Sequence, residues 1–211
     1  MTVRASALRR LTPLLLLTLL AGCAGAPAPR YYTLAAVPPA SAAPAMATIA
    51  PARIVVGPVN LPDYLDRRPV VTRDNAYAVR LATSDYWAAP LQDQVPRVLV
   101  ADLASRLPAD QIESFPQLSG SAGDYRIAVD IGRFDVDATG LATLTAHWWI
   151  YGKSAPQALH SGETTLQQQA QATDYEAGAA ALSATLGSLA DTLAQSVMQL
   201  RAQAPRPLAG S

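Results

Sequence analysis

The 211-residue chain carries 16 Lys+Arg and 16 Asp+Glu, so its formal net charge at pH 7 is zero, and it holds one cysteine. Setting aside the three arginines of the first ten residues leaves 13 basic against 16 acidic side chains. A net charge near −3 argues against a nucleic-acid binder, which needs a basic face to meet phosphates. The lone Cys23 excludes an intramolecular disulfide and the paired cysteine spacing of structural zinc sites.

The N-terminus opens with Arg4, Arg9 and Arg10, followed by the ten-residue apolar run from Leu11 to Leu20 and the small residues Ala21 and Gly22. A basic region, a short apolar region and a small-residue cleavage zone predict a signal peptide over residues 1–22. The competing reading is a membrane span, but only about ten residues are strongly apolar where a span needs about 20. Leu20-Ala21-Gly22-Cys23 resembles the bacterial lipobox, which implies cleavage before Cys23, diacylation of its thiol and N-acylation of the new terminus. Two or more acyl chains hold a protein firmly to a bilayer, where one binds marginally. Ala24 is not the aspartate that retains enterobacterial lipoproteins at the inner membrane, so the expected address is the outer membrane. Residues 24–30 (AGAPAPR) read as a semi-rigid tether, with a single domain expected over 31–203 and a disordered tail at 204–211.

Tyr31-Tyr32-Thr33-Leu34 predicts a short strand, and residues 37–51, rich in Pro and Ala without a period, a loop. A β-branched run from Arg53 to Val59 predicts the next strand. Pro69 to Thr72 and Tyr77 to Leu81 predict a hairpin around Arg73-Asp74-Asn75-Ala76. From Pro90 to Leu107 the stripe Leu91, Val95, Val98, Leu99, Leu103 and Leu107 predicts a helix. Strands follow over 125–137, around 142–150 and over 157–168. In the first of these the apolar phase flips across Gly132-Arg133, which predicts a β-bulge. A second helix is expected from a capping box at Thr173 and Glu176, with Tyr175, Leu182, Leu186, Leu189, Leu193, Val197 and Leu200 on one face. The expected fold is therefore α+β, a two-layer sandwich of a mixed sheet of about six to seven strands with two long helices on one face.

The chain carries no recognisable catalytic or cofactor motif. His147 alternates away from Leu144, Trp148 and Ile150, so it faces solvent or an interface, and His160 is equally isolated. Gly120-Ser121-Ala122-Gly123 resembles a nucleophile elbow only superficially, and no phosphate-binding loop occurs. Asp130, Asp135 and Asp137 lie near Arg126 and Arg133, which reads as a solvated, charge-balanced face rather than the six or more oxygens a hard cation needs. The candidate contact residues are apolar or basic. Leu61, Tyr64, Leu65 and Arg68 fall in a loop with Asp63, Asp66 and Arg67, and Tyr86 and Trp87 lie just before the first helix. Two readings stay open: these residues plug one end of the sheet, or they form the aromatic-and-arginine surface that binding hot spots favour.

The lipobox, Tyr31-Tyr32-Thr33-Leu34, the block from Ile54 through Leu61-Pro62-Asp63-Tyr64-Leu65-Asp66-Arg67-Arg68 to Arg73, and Tyr86-Trp87 before Pro90-Leu91 together resemble the PqiC/YmbA family. These are auxiliary lipoproteins of ABC-type lipid transporters. The resemblance implies a non-enzymatic domain tethered to the outer membrane. Its implied partner is a periplasm-bridging MCE protein, with a permease and an ATPase acting indirectly. Rings in some members imply a possible homo-oligomer. It implies no catalytic residue, metal or cofactor. The alternatives are a scaffold lipoprotein for assembly of outer-membrane protein or lipopolysaccharide, a direct lipid carrier, and a periplasmic hydrolase that would use His147 or His160.

Overall fold

The structure, a computed structural model, describes residues 28–39, 50–116, 123–153 and 155–203. Cys23, the predicted signal peptide, most of the tether and the 204–211 tail lie outside the described residues.

Among the described residues eight strands and two α-helices follow in the order β1 (Arg30–Tyr32), β2 (Arg53–Asn60), β3 (Pro69–Arg73), β4 (Val79–Trp87), α1 (Leu91–Arg106), β5 (Gln111–Ser114), β6 (Tyr125–Asp137), β7 (Leu141–Gly152), β8 (Ala158–Gln169) and α2 (Tyr175–Gln203). The α+β fold and the single mixed sheet agree with expectation. The strand count exceeds it because β5 is a four-residue edge strand, Gln-Ile-Glu-Ser, without an apolar alternation to betray it. It pairs in parallel with β2. β4 also runs six residues past the expected Leu81, so Tyr86 and Trp87 belong to a strand and not to an irregular approach to α1. Asp85 in the middle of that extension is a poor strand former, but Tyr32 and Arg30 satisfy its carboxylate.

The sheet is forked. β7 covers one edge of the thirteen-residue β6 along its length, and β8 lies beyond β7. The other edge of β6 is shared: β2 pairs in parallel with its first half, and β3 pairs in parallel with Val136 and Asp137 at its end. The expected bulge sits between Ile131 and Arg133. It explains why Ile127, Val129 and Ile131 point to the helices and Phe134 continues the same face one step out of phase. At Gly57 the backbone takes φ +132, a conformation open to glycine, and the Phe115 Cβ would lie 2.9 Å from any Cβ built there.

Both helices pack on one face of this sheet, over a core that includes Ile54, Val95, Leu99, Leu103, Ile127, Phe134, Leu144, Ile150, Leu186, Leu189 and Leu193, all at most 1% exposed. Each such side chain contributes about 1.5–3 kcal/mol when fully buried. α2 starts one residue later than the capping box implied. Asp174, not Thr173, is the cap: its Oδ1 accepts the Ala177 N–H at 2.8 Å. Gly178 and Ala179 then let the helix approach the sheet closely, with Val136 3.5 Å from where a Gly178 Cβ would lie.

After β1 the chain leaves the sheet as a strap across the helices. Thr33 and the Leu34 N–H donate to the Gln94 side-chain oxygen, each at 2.9 Å, and the Ala35 N–H donates to Ser183 at 3.2 Å. The Val37 N–H donates to Asp102 at 2.7 Å, and the Val37 carbonyl accepts from Arg106 at 3.1 Å. Gln94, Asp102 and Arg106 are buried polar residues on an otherwise apolar helix face, and the strap explains why α1 tolerates them.

Candidate functional site

The loop between the two branches of the sheet is the most distinctive block of the sequence. Pro62 holds an extended backbone and starts the 3-10 turn Asp63–Leu65, closed by the Leu65 N–H to Pro62 carbonyl bond at 3.0 Å. The turn drives Leu65 into the core and leaves Tyr64 beside the face of β6 away from the helices. There the Tyr64 hydroxyl donates to Asp135 Oδ2 at 2.8 Å, Arg73 donates to the same oxygen at 2.8 and 2.7 Å, and Arg133 donates to Oδ1 at 2.9 Å. The Arg73 guanidinium also lies 5.5 Å from the Tyr64 ring centre.

Asp135 is thus 1% exposed, a buried charge inside a basic and phenolic cage, and not the solvated carboxylate expected. The fork of the sheet brings Tyr64 and Arg73 over it, which local sequence does not reveal. Burial opposes its ionisation, but the bonds from Arg73, Arg133 and Tyr64 outweigh that and hold the carboxyl below its usual range. Burial and the same carboxylate push the Tyr64 hydroxyl up.

The remaining predicted contact residues divide cleanly. Leu65 and Trp87 are 2% and 3% exposed and fill the core; Leu61 is half-buried against it. Tyr86 is half-buried, donates its hydroxyl to the Thr83 carbonyl at 2.9 Å, and lies 5.8 Å from the Tyr31 ring. Arg68 is exposed, and its carbonyl accepts the Trp87 N–H at 2.8 Å, tying the loop to the end of β4. The structure therefore joins both predicted sets at one end of the sheet, with the apolar members inside and Arg68, Arg67, Asp66 and Asp63 outside.

A second surface lies on the face of β6, β7 and β8 that carries no helix. Register aligns Arg126 with Tyr151, Ala128 with Trp149 and Ser161, and Asp130 with His147 and Glu163. Arg126 sits 4.5 Å from the Tyr151 ring centre, His147 stacks on Trp149 at 6.4 Å, and His147 Nε2 is 3.4 Å from Glu163. The signal was present in the sequence as the odd residues of the strand, His147, Trp149 and Tyr151, opposite the core-facing even ones. Trp, Tyr and Arg are the residues that dominate binding hot spots.

On the helix side Trp148 covers Gly162, where a Cβ would fall 2.5 Å from the ring, and its Nε1 donates to Thr164 at 3.1 Å. Among the described residues no three His, Cys, Asp or Glu side chains cluster as a metal site, and no helix is long and apolar enough to cross a membrane.

The model of the family described as "ABC-type transport auxiliary lipoprotein component" matches residues 32–194. The chain is 32% identical over 92 residues to the intermembrane transport lipoprotein PqiC of Escherichia coli K12 and, equally, to that of Shigella flexneri. That stretch is 44% of this chain and 48% of each relative, so the chain spans about half the length of the curated relatives it matches. Two crystal structures share the fold. One is of an uncharacterized protein, at 22% identity and TM-score 0.66, covering 81% of this chain and 99% of that one. The other is of a Xanthomonas campestris protein, at 19% identity and TM-score 0.63, covering 82% and 98%.

Proposed function

Because the chain belongs to the ABC-type transport auxiliary lipoprotein family, we propose that it is the non-catalytic docking subunit of an MCE-type lipid transporter, anchored through Cys23 to the periplasmic face of the outer membrane. The observation that carries this reading is the extent of the family match, which spans the folded domain from β1 almost to the end of α2. Two further features support it. The lipobox cysteine stands seven residues before β1, so acyl chains there would hold the domain close to a bilayer. The exposed end around Arg68 and Tyr86 and the open face with Arg126, Trp149 and Tyr151 supply the arginine and aromatic groups that a partner protein would bury.

The test is twofold. Cys23→Ser should release the protein from the outer-membrane fraction of a density gradient while the domain stays folded; retention of the variant would overturn the anchor. Crosslinking in intact cells followed by purification should recover the MCE protein, and Arg126→Glu together with Trp149→Ser should lower that yield several-fold. A well-expressed bait that recovers no MCE protein would overturn the docking role.

A further inference from the structure

The hairpin between β3 and β4 ends in side chains that the domain itself does not use. Tyr77, in the turn, is 99% exposed; Val79 and Leu81, two apart on β4, are 41% and 47% exposed. Residues two apart on a strand share a face, so Val79 and Leu81 form one apolar surface beneath the tyrosine tip. The turn itself is well built: the Asp74 and Asn75 N–H groups both donate to the Ala78 carbonyl, and Asn75 Oδ1 accepts the Tyr77 N–H at 2.8 Å. Tyr77 is therefore presented by an ordered turn and contacts no core residue.

The direction of the chain supplies the occupant. β1 pairs with β4 in parallel, Arg30 opposite Asp85, so the tether enters β1 from the side on which the hairpin tip lies. Six residues of strand separate Asp85 from Val79, about 20 Å at roughly 3.4 Å each. Seven residues separate Cys23 from Arg30 and reach at most about 25 Å. A tether of that length, entering from the hairpin side, is long enough to let Cys23 reach the level of the hairpin tip. Two of the cations along the way are paired, Arg80 with Asp74 and Arg30 with Asp85, which lowers the cost of bringing that edge against a lipid surface.

We propose that the Tyr77, Val79 and Leu81 tip seats in the interfacial layer of the bilayer to which Cys23 is attached. Cys23 and the hairpin then make two points of contact that fix how the domain stands on the membrane. Tyrosine suits the site because its ring prefers the boundary between acyl chains and headgroups. This rests on the anchor reading above, and the experiment separates the two by supplying the anchor chemically.

The chain from Cys23 onward keeps every described core residue, Leu34 to Val197. It is coupled through its single thiol to maleimide-headgroup lipid in phosphatidylcholine vesicles. Tyr77→Trp is compared with the parent chain in vesicles with and without brominated acyl chains. The expected result is added emission that is blue-shifted and falls at least two-fold with bromine, while the parent's emission falls less. Added emission that is unshifted and unquenched overturns the proposal, as does a blue shift that appears only when protein density on the vesicle rises, which would mark contact between copies. Loss of the natural anchor in cells would leave this result untouched, because the vesicle linkage does not depend on acylation.

Discussion

Two buried aspartates, one on each side of the sheet, show how differently this fold handles charge. Asp135, on the face away from the helices, accepts bonds from Tyr64, Arg73 and Arg133, and its carboxyl is held below the ordinary range. Asp102, under the strap, is fully buried and accepts the Val37 N–H, with Arg106 3.5 Å away and Oδ2 left without a hydrogen-bond partner. Burial pushes its carboxyl up, and neither the Val37 N–H nor Arg106 reverses that. Arg106 is shared, since it also donates to Asp191 at 2.6 Å. Burial alone decides neither case; the number of donors aimed at the carboxylate does.

The contrast can be broken by substitution. Asp135→Ala leaves two arginines around an empty cage and should cost about 3–5 kcal/mol in urea unfolding; a loss below 1 would show that water replaces the carboxylate without penalty. Tyr64→Phe removes one donor of the cage and should cost about 1 kcal/mol by the same measurement. Asp102→Asn keeps an acceptor for Val37 and removes the under-compensated charge, so at neutral pH it should change stability by less than about 1 kcal/mol.

The pH dependence sharpens the same comparison. Asp102 has a raised folded-state value, so its contribution is complete below the ordinary 3.8 and is lost as pH rises through the folded value. The parent chain should therefore gain on Asp102→Asn as pH falls from neutral toward 4.5. Asp135 has a lowered value, so its contribution is present above 3.8 and is lost only as pH falls through a still lower value. The deficit of Asp135→Ala should persist over the whole range from neutral to 4.5. Urea midpoints across that range give both slopes, and an opposite sign at either residue would break the comparison.

Much of the fold was legible because apolar spacing reports burial directly. Both helices, the β3–β4 hairpin and the bulge after Ile131 follow from local pattern. β5 and the second half of β4 escaped because their stability comes from neighbours: β2 alongside Gln-Ile-Glu-Ser, and Tyr32 and Arg30 on Asp85. The candidate contact residues were found as a group, but composition cannot say that Leu65 and Trp87 point inward while Arg68 points outward. The Asp135 cage was invisible for a related reason. Tyr64 is 71 residues away in sequence, and only the fork of the sheet brings it over the carboxylate. The strap escapes local pattern because Thr33 and Leu34 read as the end of a strand and Val37 as the start of a Pro/Ala loop, although Gln94, Asp102 and Arg106 on an apolar helix stripe signal that some backbone must cross there.

The parallel pairing of β1 with β4 has a mechanical consequence. A pull applied along the axis of β1 acts across its hydrogen bonds to β4, which lie across that axis. Such a load strains the bonds together in shear, where a pull at right angles would open them one by one like a zip. The strap beyond β1 adds a row of fasteners behind the strand, from Thr33 to Val37. Under the anchoring proposed above, the domain is thus gripped in the direction in which its leash would tug.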